Sequence, residues 1–175
     1  MPDQTPPPAA ARPVRDGVGL GLAVGVSGLA FGAAAVSSGL TTWQACALSL
    51  FAFTGASQFA LAGVIAGGGS LLAGSAGAIL LGSRNTLYGL RLAQTLRLRG
   101  WRKPLAAVGV IDETTAIALA QPDPPSMRTG FWATFCCLYL TWNLSTLAGS
   151  VKAKKRAVLV GTVKTFITRK GQSGD

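Results

Sequence analysis

Residues 17–83 read GVGLGLAVGVSGLAFGAAAVSSGLTTWQACALSLFAFTGASQFALAGVIAGGGSLLAGSAGAILLGS, without one Asp, Glu, Lys, Arg or His. Soluble domains carry charge on roughly a quarter of their residues, so so long an uncharged block is foreign to them. A spanning helix needs roughly 20 apolar residues at a rise of about 1.5 Å each, which gives this block room for up to three crossings. Two further apolar runs follow at 105–120 and 129–150. In hydrocarbon every backbone polar group must be paired internally, so these segments are predicted as helices. The fold class expected is an all-α membrane protein, a polytopic transmembrane helix bundle with broken or re-entrant helices. Its parts are a disordered cytoplasmic N-terminus over 1–16, a transmembrane domain over 17–150, and a basic cytoplasmic tail over 151–175.

The formal net charge is +10, from 16 Lys and Arg against 6 Asp and Glu. Such an excess would suit nucleic acid in a soluble protein, but here the cations gather beside apolar runs, which is positive-inside patterning. The clusters are Arg12 and Arg15, then Arg91, Arg97, Arg99, Arg102 and Lys103, then Lys152, Lys154, Lys155 and Arg156. Placing all three in the cytoplasm is the simplest expectation. Cys46, Cys136 and Cys137 lie in apolar segments and there is no His to complete a usual zinc set, so neither metal nor cofactor is expected. Arg12 and Arg15 ahead of an apolar run resemble a secretory signal. That run exceeds a signal core and more membrane-grade sequence follows, so an uncleaved first span is expected.

Within the first helix, expected over 17–37, Gly17, Gly21, Gly25, Gly28 and Gly32 put small residues about four apart, a pattern that lets a second helix approach closely. The segment 41–66 is apolar but carries Thr54, Gly55, Ala56, Ser57 and Gln58 at its centre. Such a cluster predicts a broken or re-entrant helix. A flexible turn at 67–70 leads to a helix over 71–90, interrupted by Gly82, Ser83, Arg84 and Asn85. If the first two basic clusters share a side, one of the three apolar segments between them does not cross, and 41–66 is the candidate. From Pro104 onward one helix is expected to run out and one back.

Arg84 is a charge at membrane depth, where insertion costs at least about 2.5–3.5 kcal/mol and where charges mark pathways or pairs. Asp112 and Glu113 form the acidic pair of the apolar region, and Arg84 and Asp112 are symmetric about Leu98. In an antiparallel hairpin that symmetry brings them to one level. The two acids stand about 100° apart on a helix, so one should face Arg84 and the other a cavity. An ion pair that only fixes packing, or an Arg84 that snorkels to the interface, are the plainer alternatives. No second acid pair, metal set, activated nucleophile or phosphate-binding loop is present, so an enzyme or ATP-driven pump is not expected.

The motifs FTGASQF at 53–59, GSRNTLYG at 82–89, IDETT at 111–115 and YLTWN at 139–143 resemble, in order and spacing, those of the AzlC family of branched-chain amino-acid permeases. The resemblance covers about 15–150. It implies an exporter of branched-chain or similar apolar amino acids in the bacterial inner membrane, working with a small AzlD-type membrane subunit. Relatives continue past 150 with apolar helix, whereas this chain turns basic, as a truncation or a shifted reading frame near Ser150 would produce. A non-transporting scaffold subunit is the alternative for such a chain.

A zwitterion needs an anion site, a cation site and an apolar pocket. Backbone N–H groups around Gly55, Ser57 and Gln58, or Arg84 itself, are candidates for the carboxylate. Asp112 or Glu113 would take the ammonium, and either is a candidate proton carrier. Asn85, Tyr88 and Thr114 complete the predicted substrate-binding set. Phe53, Phe59 and Leu87 are candidate pocket walls that also have ordinary packing roles.

Overall fold

The computed structural model describes residues 12–172, and side chains as far as residue 162. The disorder expected of 1–11 and the end of the tail at 173–175 lie outside the described residues. Among those described, every regular element is helical: α1 (Pro13–Gly25), α2 (Gly28–Ser37), α3 (Thr42–Phe51), α4 (Ala56–Ala66), α5 (Leu71–Gly82), α6 (Arg84–Leu96), α7 (Arg102–Val108), α8 (Asp112–Leu119) and α9 (Pro124–Gln172).

The bundle is built along α9. Gly17, Gly21, Gly25, Gly28 and Gly32 line the buried face of α1 and α2, as the four-residue spacing predicts. A Cβ on these glycines would meet Thr134, then Cys137, Thr141, the Trp142 carbonyl and the Thr146 carbonyl. Both lists rise together, so α1–α2 and α9 run parallel. Gly149 answers from the other side, its missing Cβ making room for the Leu29 backbone. Without side chains in the seam the two backbones approach directly, which maximises dispersion contact.

Two hairpins fill the space between. The first, α3–α4, starts at the Ser37 end and runs antiparallel to α9. Ser49 Oγ bonds to Thr146 Oγ1 at 3.3 Å, Tyr139 Oη donates to the Leu50 carbonyl at 3.0 Å, and the Phe53 ring meets Phe135 and Tyr139. At 52–55 the helix breaks and α4 turns back, bringing Phe59 beside Phe31 and Trp142. Then α5 returns antiparallel to α4, Gly74 against Leu61 and Val64 and Gly82 against Ser57. Ser83 keeps helical angles (φ −60, ψ −26), so α5 and α6 form one rod with a single turn residue where a wider interruption is predicted.

The second hairpin, α7–α8, starts from the opposite end. Arg97, Arg99 and Arg102 share a surface pocket with Arg128 and Trp132. From there α7 climbs until Gly109 lies against the Phe135 ring, the helix breaks at 109–111, and α8 descends until Ile117 and Gln121 flank Gly130. The pattern of the first half, one long helix and then a broken hairpin, is thus repeated upside down in the second half. One core cluster joins both hairpins to α9 through Phe31, Phe53, Ile111, Phe135, Leu138 and Trp142.

Three expectations are corrected. Helix α1 begins at Pro13, whose fixed φ and missing N–H suit a first helical position, and the chain bends at 26–27 before α2. The run 105–120 is two short halves, because Gly109 and the extended Ile111 (φ −135, ψ 177) interrupt it. It therefore returns to its own end instead of running out, and α9 runs with α1 rather than against it. Consequently Arg12, Arg15 and the Arg97–Arg102 stretch lie at one end while Lys152–Arg156 lie at the other, so the three basic clusters do not share a side. The residues after Ser150 continue α9 without a break.

By length and composition together, one helix among those described, Pro13–Ser37 taken through its bend, suffices to cross a membrane, and Ala56–Ala66 is a shorter apolar helix.

Candidate functional site

The two hairpin tips meet at mid-height on α9, and each is tied down by a polar side chain. At the first tip Gln58 Nε2 donates to the carbonyls of Leu48 and Ala52, both at 2.8 Å, and its Oε1 accepts from Trp142 Nε1 at 3.1 Å. Those carbonyls lie at the end of α3, where they also accept from the Ala52 and Thr54 backbone N–H groups, so the amide adds a second bond to each while anchoring the next half-helix. Gly55 holds φ +25 and ψ −74, a conformation strained for any L side chain, and no side chain caps the first turn of α4. In that first turn the Ser57 N–H donates to the Thr54 carbonyl at 2.9 Å.

At the second tip Thr114 Oγ1 accepts from the Ile111 N–H at 3.1 Å and donates to the Gly109 carbonyl at 2.5 Å. This leaves Asp112 and Glu113 in the first turn of α8, where the helix dipole favours anions. Arg84, the first residue of α6, reaches across, its Nη2 2.6 Å from Asp112 Oδ2. It is the one ion pair among the described residues, and the two side chains are 42 and 43% exposed, so the pair is open to a ligand rather than sealed. Tyr88, one turn along α6, faces the same carboxylate and the same guanidinium. Glu113 is half-buried with no ion-pair partner among the described residues, and the neighbouring Thr115 hydroxyl is buried without a hydrogen-bond partner.

A family model described as AzlC protein matches residues 19–154. The chain belongs to the AzlC family. It is also similar to an uncharacterized membrane protein of Helicobacter pylori (strain J99), 29% identical over 126 residues that make up 71% of this chain and 55% of that protein. This AzlC-family chain thus spans about half the length of that curated relative. No solved structure matches it.

Of the residues singled out in sequence, Arg84, Tyr88 and Asp112 come together around one charge pair, with Glu113 beside them. Asn85 is half-buried in the first turn of α6, next to Arg84. Ser57 is buried, and Gly82, two residues before Arg84, leaves room for its Oγ, so the α4 tip and the α5–α6 rod touch there. Gln58 and Thr114 are 2 and 0% exposed with their polar atoms engaged, so both hold the tips and neither offers a free group. Leu87 points outward at 68% exposure, and Phe53 and Phe59 pack on α9 and α2. Phe135, on which both tips rest, is absent from the predicted set. Its aromatic neighbour Tyr139, inside the fourth motif, was the available signal.

Proposed function

We propose that this AzlC-family chain is a membrane transporter subunit that moves branched-chain or similar apolar amino acids. In a bilayer α1–α2, α5–α6 and residues 130–150 of α9 would be the crossings. At 1.5 Å per residue they measure about 31–39 Å, enough for a hydrocarbon core of about 30 Å. The two hairpins would be re-entrant, one from each face. Broken backbone at membrane depth is tolerated where protein or a water-filled cavity covers it, and half-helix ends meeting at the midplane are a transporter arrangement. Export across the inner membrane of a bacterium, aided by a small AzlD-type subunit, is the fuller form of this reading.

The observation that carries it is the half-open Arg84–Asp112 pair at the junction of the tips. A zwitterion entering there exchanges one ion pair for two, carboxylate to Arg84 and ammonium to Asp112, so the charges of the site stay balanced at every stage. The uncapped N-terminus of α4 adds N–H dipoles for the carboxylate. Proteoliposomes holding the chain, with and without the small subunit, should take up labelled leucine, isoleucine or valine above empty vesicles, and lysine or glutamate far less. Flux equal to that of empty vesicles in both preparations would overturn the proposal.

A further inference from the structure

The surface at the Arg97 end combines two features that the substrate site does not use. An open groove of about 820 Å³ runs up one side of α9 and is walled by apolar side chains that include Trp101, Leu105, Val108, Trp132, Phe135 and Leu140. At its foot lies a second pocket of about 470 Å³, lined by Arg97, Arg99, Arg102 and Arg128. Arg102 and Trp132 belong to both, so the two are continuous.

The four arginines have no carboxylate within ion-pairing distance among the described residues. Arg97 is held in a left-handed conformation (φ 44, ψ 42) with its Nε 3.4 Å from the Gln94 carbonyl, and Arg102 lies 5.8 Å from the centre of the Trp101 ring. A cluster of like charges without counter-charge is a site for an anion. The shape adds a length: from Arg128 to Leu140 is twelve helical residues, about 18 Å. That is close to the roughly 15 Å of hydrocarbon in one leaflet.

We infer that this continuous surface binds an anionic phospholipid, with its phosphate among Arg97, Arg99, Arg102 and Arg128 and an acyl chain along the groove. A helix of another protein would fill the apolar part but would leave the cations unanswered, whereas a lipid of this kind presents its negative charge at one end and its hydrocarbon behind it. The inference rests on the membrane embedding proposed above and does not depend on the substrate.

The test uses the whole 175-residue chain in phosphatidylcholine vesicles doped with brominated phosphatidylglycerol or, separately, brominated phosphatidylcholine, with tryptophan emission as readout. Trp101 and Trp132 line the site, so brominated phosphatidylglycerol should quench at a mole fraction lower by roughly tenfold or more. The Arg102→Gln, Arg128→Gln double variant should abolish that preference, and the corresponding Lys pair should keep most of it while proving that the fold tolerates change at both positions. Glycerol phosphate, which has the anion without the chains, should not compete. Equal quenching by the two lipids, an unaltered preference in the Gln pair, or displacement by glycerol phosphate would each overturn the site. Absence of quenching by any brominated lipid would instead strike at the membrane embedding.

Discussion

Replacing Gly32 with Ala tests the seam on which the whole arrangement is built. A Cβ at this position would stand 2.2 Å from the Thr146 carbonyl oxygen and 2.8 Å from the Ser150 nitrogen, and separations under 3.0 Å essentially never occur. Both obstacles are backbone, so no rotamer change relieves them, and α2 must move away from α9 by about 0.8 Å or more. Overpacking of this kind costs about 1–3 kcal/mol. Gly19→Ala, on the face where a Cβ meets nothing, is the matched control, and there Ala gains up to about 1 kcal/mol of helix propensity. Gly32→Ala gains the same propensity, so the two variants should differ by the overpacking cost, about 1–3 kcal/mol. At roughly 2–4 °C per kcal/mol for a chain of this size, the gap in Tm is on the order of 2–12 °C. Thermal unfolding of the detergent-solubilised protein, followed by near-ultraviolet circular dichroism, reads it directly. Equal stability of the two variants would mean that α2 does not lie backbone to backbone on α9.

Four other outcomes follow from the site and the hairpins. In a background lacking Cys46, Cys136 and Cys137, Gly100→Cys and Pro122→Cys should react with an impermeant maleimide from one side of the membrane, and Gly68→Cys and Lys154→Cys from the other. Labelling of all four from a single side would refute the opposed hairpins. Arg84→Gln leaves Asp112 without its counter-ion, so leucine flux should be lost, and the double change with Asp112→Asn should recover protein level without flux. Glu113→Gln should abolish gradient-driven flux yet spare exchange, and full driven flux in that variant would remove Glu113 from coupling. Gln58→Leu removes the side-chain bonds to the Leu48 and Ala52 carbonyls, which keep their backbone partners, and leaves the buried Trp142 N–H unpaired, so it should destabilise by about 1–3 kcal/mol, which an unchanged thermal midpoint would contradict.

Much of this was legible in residue order. The uncharged block located the helices, the polar insertion at 54–58 located the first break, and the symmetry of Arg84 and Asp112 about Leu98 placed the two charges at one level. The pairing survives even though α7–α8 does not run as the expected hairpin arm, because Asp112 opens the return limb at its innermost point. What could not be read was direction. The run 105–120 measures about 24 Å as an unbroken helix, near enough to a crossing, and nothing in Gly109, Val110 and Ile111 announces as sharp a reversal as the polar insertion does. One missed reversal then flips α9 and with it the third basic cluster. Gln58 and Thr114 bond to the fold itself, which residue order does not foretell. A polar side chain amid apolar sequence signals a hydrogen bond, but whether the partner is a ligand or a stray backbone carbonyl depends on which helix ends the fold brings near.

The first tip rests on α9 at Phe135, Tyr139 and Trp142 and the second at Phe135, all within two turns, and this gives that helix a fulcrum. A tilt of about 10° around the contact moves points ten residues away, about 15 Å along the axis, by roughly 2.6 Å in opposite senses. The centre hardly shifts, so a rocking stroke of α9 would widen the mouth on one face and narrow it on the other while the charge pair stays in register.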